Sequence, residues 1–156
     1  MTIATTVKAY LEQLNVNYEL VPHPRTYSSK ETAQVAHVKE DHIAKAVLLK
    51  NDTGIVMAVI PGSEYLKIHA VQQELDRKLE LADETLVDKI FADCQPGAIP
   101  PLGPAYSIET VVDEALSSLA YINFESGDHE NLVRISGEDF HTLLAGARHG
   151  YFSHGE

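Results

Sequence analysis

The strongest constraint on the fold is a pair of apolar, β-rich runs separated by a short polar break. Residues 43–50 read Ile-Ala-Lys-Ala-Val-Leu-Leu-Lys, residues 51–54 read Asn-Asp-Thr-Gly, and residues 55–60 read Ile-Val-Met-Ala-Val-Ile ahead of Pro61-Gly62. Two such runs joined by a glycine-bearing turn predict a hairpin. The near absence of polar residues in the second run places that strand in the middle of a sheet, at the hydrophobic centre of the protein.

Around this centre the periodicity alternates between helix and strand. Ile3, Val7, Tyr10, Leu11 and Leu14 recur at steps of three and four, one face of a helix entered near Thr2 and ended by Asn15. Val16, Tyr18 and Leu20 then predict a short strand that stops at Pro22-His23-Pro24. Ser28 with Glu31 is a capping-box pattern for a helix over 29–36, and a second helical start falls near Asp41. Leu66, Ile68, Val71, Leu75 and Leu79 mark a further helix, and Asp83 caps another that carries Leu86, Val87, Ile90 and Phe91. Strands are expected over 108–112, 121–124 and 132–135, with a closing helix over 137–145 and a loosely held polar tail from His149 onward.

Composition narrows the class. A chain of 156 residues that is 44% hydrophobic suits one globular domain burying roughly two-thirds of its unfolded surface. The single cysteine, Cys94, cannot form an internal disulfide, and no apolar run approaches the ~18 residues of a membrane span. A soluble, cytoplasmic protein with no membrane partner is expected. The net charge of −11 is unevenly spread: residues 1–78 hold nine residues of each sign, whereas 79–156 hold only Lys89, Arg134 and Arg148 against fourteen acids. Such a chain is poorly suited to coating DNA or RNA through backbone phosphates, which needs clustered Lys and Arg. A nucleic-acid partner has to be met locally, by first-half residues such as Arg25 and Lys30.

Three places could carry chemistry. Lys45 interrupts an apolar strand, where it either snorkels from a strand end or supplies a cation at a pocket wall for an anionic ligand. Residues 94–106 hold four prolines and two glycines in thirteen positions, too many for a ladder or helix. That segment is either a rigid connector or a pre-ordered loop whose amides, such as that of Gly97, receive a carbonyl oxygen. Gly127-Asp128-His129-Glu130 lies between two strands, where His129 is either a surface turn residue or a group that orients a hydroxyl or a water. Neighbouring strand residues point to opposite faces, so Asp-His-Glu is a poor chelate, and no metal or cofactor is expected. No nucleophile elbow and no phosphate-binding glycine motif is present, and Cys94 has no basic neighbour in sequence.

Taken in order, Ala44-Lys45-Ala-Val-Leu-Leu-Lys50, Ala58-Val-Ile-Pro-Gly62, Pro96-Gly-Ala-Ile-Pro-Pro-Leu-Gly103, Val111-Val-Asp-Glu114 and Gly127-Asp-His129 resemble the YbaK/prolyl-tRNA-synthetase-associated domain family. The similarity runs from about residue 2 to residue 147, which sets residues 1–147 as the domain and 148–156 as a flexible tail. The resemblance implies an α/β (α+β) fold, a mixed sheet curled into an open barrel with helices around it, and hydrolysis of mischarged aminoacyl-tRNA. It implies that Lys45 holds the terminal adenosine and phosphate of the acceptor end. The Gly97–Gly103 loop, with Pro101, would hold the ester carbonyl, and His129, flanked by Gly127 and Asp128, would orient the ribose or side chain. A histidine at 129 resembles the alanine-editing branch, so a small uncharged amino acid is the expected substrate, with serine or cysteine as variants. A synthetase is a candidate docking partner for the acidic second half. The rival reading is a binding module of the same shape that senses a nucleotide or small metabolite.

Overall fold

The structure, a computed structural model, describes residues 3–26 and 28–155. Its first helix, α1 (Thr5–Gln13), buries Val7 and Leu11 and ends where Asn15 turns left-handed at φ 54°. The expected entry at Thr2 lies outside the described residues. β1 (Glu19–Pro22) starts three residues later than the alternation from Val16 suggests, and Pro22 belongs to it. The register explains the shift: β1 is an edge strand laid antiparallel on a later strand from Glu19↔Arg134 to Pro22↔Asn131, and an edge tolerates proline. α2 (Ser29–Ala36) has the predicted cap, Ser28 Oγ accepting from Glu31 N at 3.1 Å, and a single 3-10 turn follows over Glu40–His42.

β2 (Ala44–Asn51) and β3 (Gly54–Pro61) form the predicted hairpin, paired from Ala44↔Pro61 to Asn51↔Gly54. Asn51 Oδ1 closes the turn by accepting from Thr53 N and Gly54 N, both at 2.9 Å. Then follow β4 (Tyr65–Leu66), α3 (Ile68–Leu75), β5 (Glu80–Leu81) and α4 (Glu84–Ile90), whose cap is Asp83. Residues 94–102 are irregular as expected, although Gly103–Tyr106 adds a 3-10 turn with a proline in its first positions. β6 (Glu109–Asp113), β7 (Tyr121–Glu125), β8 (Asn131–Ser136) and α5 (Gly137–Leu143) complete the predicted series.

The loosely held tail is not observed. β9 (Arg148–Gly150) runs parallel to β6, and β10 (Ser153–His154) pairs with β4. Between them Phe152 is buried, its N–H donating to Asp113 Oδ2 at 2.8 Å, and Ser153 Oγ donates to the same oxygen at 2.7 Å. His149 Nδ1 lies 3.2 Å from Glu114 Oε1. The tail holds because Asp113 is buried: its Oδ1 accepts from Ala115 N at 2.8 Å, and the tail supplies the donors to Oδ2.

The result is a mixed α/β domain with five α-helices among the described residues and no closed sheet. The five-stranded sheet has the order β5-β2-β3-β6-β9, with β3 at its centre as its composition requires, and the three-stranded sheet has the order β1-β8-β7. One face of the larger sheet, through Ala44, Leu48, Met57 and Val59, meets Ile122, Phe124, Val133 and Ile135 of the smaller sheet under α1 and α5. Its other face, through Leu49, Val56, Ala58 and Ile60, is covered by Val71 and Leu75 of α3 and by Phe152. An isolated backbone bridge, Ile43↔Asn123, links the edges of the two sheets, and a cleft opens beside it. No helix among the described residues is long and apolar enough to cross a membrane.

Candidate functional site

The cleft holds about 470 Å³, within the range of ~300–1,000 Å³ usual for small-molecule sites. Its sheet wall is the start of β2, with Ile43, Ala44, Lys45 and Ala46. Its loop wall is Pro96, Gly97 and Ile99, closed at the back by His129 and Glu125, with Thr26, Ser28, Ser29 and Thr32 across the mouth of α2. Lys45, Gly97 and His129, some eighty residues apart at the extremes, therefore share one cavity.

Lys45 is half-buried. Its ammonium donates to Gly62 O at 3.2 Å and stands 5.9 Å from the centre of the Tyr65 ring. Burial lowers its pKa, while the charges of Glu40 and Glu64 pull it back up. A lysine placed this way is a fixed cation between two spaces, because a second, polar cleft of about 590 Å³, lined by Ser28, Lys30, Glu40, Gly62, Glu64 and Tyr65, opens on its other side.

The loop wall depends on two left-handed residues. Gly97 has φ +82°, and a Cβ there would lie 3.0 Å from His129 Nε2, so both backbone angle and space select glycine. His129 has φ 63°. Its Nε2 lies 2.7 Å from Pro96 O, and since a carbonyl only accepts, Nε2–H donates to it. The histidine thus pins the loop at Pro96 while its ring packs on Gly97. Among the described residues the exposed Gly97 N–H has no intramolecular acceptor.

Other residues singled out in the sequence stand elsewhere. Pro101 and Gly103 are buried away from the cleft, Gly103 because a Cβ would overlap Thr110 Oγ1. Gly127, at φ +102°, packs within 2.7 Å of Ala4 Cβ measured from the Cβ it lacks, and its carbonyl accepts from Gln95 N at 2.7 Å. Asp128 is buried and organises the turn, accepting from Ser126 Oγ, Glu130 N, Asn131 N and Asn131 Nδ2. Burial pushes its carboxyl up, but those donors outweigh burial and hold it below the usual carboxylate range. Arg25 is exposed and outside the cleft lining, whereas Lys30 reaches the adjoining polar cleft. Cys94 lies outside the cleft with its thiol pushed up to about 12, chiefly by burial, which leaves it a poor nucleophile. No group of three or more His, Cys, Asp or Glu residues among those described is arranged to hold a metal ion.

Two residues that sequence reasoning passed over belong to the site. Glu125 ends β7 in the cleft wall, and His23, its side chain wholly buried, brings Nε2 to 3.4 Å from Glu125 Oε1. The hydrogen bond to Glu125 raises the pKa of His23 against the lowering effect of burial, and the Pro24 carbonyl, with the charges of Glu125 and Asp128, adds to the rise. Only the register could have revealed the pair: Val21 and Glu125 both face Leu132 on β8.

An open mixed sheet flanked by helices, with Lys45 on one wall of its cleft and a histidine-pinned glycine loop on the other, makes this an α/β domain with a pre-formed small-molecule cleft. The chain belongs to the aminoacyl-tRNA editing domain family, whose model matches residues 23–143. It is 24% identical over 151 residues to the prolyl-tRNA editing protein ProX of Acetoanaerobium sticklandii, covering 92% of each chain. Among solved structures, hypothetical protein APE2540 superposes with a TM-score of 0.83 at 23% identity, covering 96% of this chain and 99% of its own. A candidate trans-editing enzyme for prolyl-tRNA synthetase superposes at 0.82 with 20% identity, covering 99% of this chain and 100% of its own. The same fold, at 0.78 and 22% identity, makes up 31% of a candidate signal transduction protein of Marinobacter aquaeolei VT8 and covers 97% of this chain.

Proposed function

We propose that the protein is a trans-acting, metal-independent deacylase that removes a small amino acid, alanine first and serine or cysteine as variants, from mischarged aminoacyl-tRNA. The observation that carries this reading is the shared cavity of Lys45 and the free Gly97 amide in a chain of the editing-domain family. ProX, which the chain resembles, is a prolyl-tRNA editing protein, and that name supports a prolyl-tRNA context.

An aminoacyl ester is already activated, so orientation and stabilisation of the developing oxyanion are enough. Lys45 holds the phosphate of the acceptor end at the junction of the two clefts, with Lys30 on the outer side. Water adds to the ester carbonyl carbon, and the displaced π pair rests on the carbonyl oxygen facing the Gly97 N–H. The ribose 2′-hydroxyl carries the proton from the attacking water to the departing 3′-oxygen as the acyl C–O bond breaks. Free amino acid and intact tRNA leave. His129 acts by holding the loop in place, a positioning role.

The narrow grip fits the charge. An acidic body with one well-placed lysine takes the end of a tRNA rather than its length, and a synthetase offering a basic surface is the natural carrier in the cytoplasm. The test is release of amino acid from Ala-, Ser-, Cys- and Pro-charged tRNA by the wild-type chain and by Lys45→Ala. Release from the small mischarged forms, abolished in the variant, is the expected result. Equal rates for the two proteins on every substrate would sink the assignment.

A further inference from the structure

One buried acceptor atom of the cleft wall lacks a donor: Glu125 Oε2 has no hydrogen-bond partner. An unpaired buried acceptor is costly, on the order of 1–3 kcal/mol, so such atoms are expected where a ligand supplies the missing hydrogens. The deacylase reading commits Lys45 to phosphate and the Gly97 amide to the ester carbonyl. Glu125 is the carboxylate that remains in the lining, beside the hydroxyl side chains of Thr26, Ser28, Ser29 and Thr32.

The position of Glu125 is secured from behind. His23 Nδ1 donates to Pro24 O at 2.7 Å, and its Nε2 faces Glu125 Oε1. The terminal torsion of a glutamate is soft and nearly two-fold, so rotation there turns either oxygen toward the cavity without moving the stem. An aminoacyl ester carries an ammonium group on the carbon next to its carbonyl, with three N–H donors and a full positive charge. That is the complement of this wall.

We infer that Glu125, backed by His23, binds the free α-ammonium of the aminoacyl ester and so confines the site to substrates with an unblocked amine. The inference rests on the deacylase reading and adds a selection that reading lacks. Acylation of the nitrogen removes the charge and two of the donors and adds bulk against a buried carboxylate. Peptidyl and other N-acylated esters are therefore refused, while the nascent chain's own tRNA linkage is left intact.

The experiment compares alanyl-tRNA with N-acetylalanyl-tRNA in single-turnover deacylation by wild type, Glu125→Gln and Lys45→Ala. Wild type should cleave the acetylated ester about 100-fold more slowly, the scale of losing one desolvated charge contact. Glu125→Gln should slow the free-amine substrate by a similar factor and leave the acetylated one nearly unchanged, so that the ratio collapses toward one. Lys45→Ala should slow both alike and keep the ratio. Equal wild-type rates on the two esters overturn the inference while leaving the deacylase standing, as does a Glu125→Gln protein that slows both alike. Should Glu125→Gln fail to fold, as read by circular dichroism, the wild-type ratio still decides whether the amine is selected, and Glu125→Asp then tests the residue by a lowered ratio. A wild-type chain that cleaves neither ester overturns the deacylase reading and the inference with it.

Discussion

The two walls of the cleft are made in opposite ways. The sheet wall is the first half of β2, paired along its length with β3, and Lys45 projects from that laddered backbone. The loop wall has no ladder. Its shape comes from a glycine at φ +82°, a histidine at φ 63°, the hydrogen bond from His129 Nε2 to Pro96 O and the one from Gln95 N to Gly127 O. A sheet can present a charge with little local support, whereas an amide aimed at a ligand has to be clamped from outside the loop. Damage to the sheet wall should therefore remove chemistry and spare stability, and damage to the loop wall should cost some of both.

The largest effect is expected from Lys45→Ala. Deacylation should fall roughly 100-fold or more, the scale of truncating one desolvated partner of an ionic contact, while the thermal midpoint stays level because the lysine loses solvation in the fold. Calorimetry beside a rate measurement checks both halves, and a large loss of stability would break the contrast between the walls.

Gly97→Ala comes next. A left-handed alanine costs about 1–2 kcal/mol, and its methyl would press on His129 Nε2, so activity should drop by roughly tenfold to a hundredfold together with a measurable loss of denaturant stability. Wild-type rates in this variant would reduce the loop to a connector.

His129 sharpens the comparison further. Alanine at 129 loses the loop clamp and also strains the left-handed backbone, whereas asparagine tolerates that backbone. Both variants should lose about tenfold in rate through loop disorder, but His129→Asn should retain more stability than His129→Ala by on the order of 1 kcal/mol. Urea melts separate the two, and a reversed order would mean that the ring's packing outweighs the backbone.

The smallest effect is a pH dependence. The pKa of His23 is raised in the fold, above an ordinary value of about 6.5, chiefly by its hydrogen bond to Glu125. Its contribution to stability is thus complete below pH ~6.5 and is lost as pH rises through the raised folded value. Glu125→Gln should flatten that slope, measured by denaturant melts across the neutral range, and an unchanged slope would deny the pair.

What the sequence disclosed follows from the same contrast. The hairpin, the caps at Ser28 and Asp83 and the cation in β2 rest on local signals, a run, a spacing or a single misplaced charge, and each is legible in the chain. The glycine loop is legible as a loop, yet nothing local tells which of its glycines lines the cleft. Gly97 lines the cleft and Gly103 packs on Thr110, a difference made by residues far along the chain. His23 and Glu125, 102 residues apart in the numbering, meet only through the β1-β8-β7 register. The tail escaped notice because strands of two or three residues carry no periodicity, and their anchor is a buried aspartate on a different strand.

The close seat of Gly97 on His129 also bears on redesign. A wall with no room for a methyl group cannot be resculpted one side chain at a time, so any change of amino-acid preference has to be written into the opposite side. Ala46 is the small, partly exposed residue there, and a larger side chain at that position narrows the cavity. A library confined to Ala46 should shift which ester is cleaved, while one spread over the loop should yield mainly inactive clones.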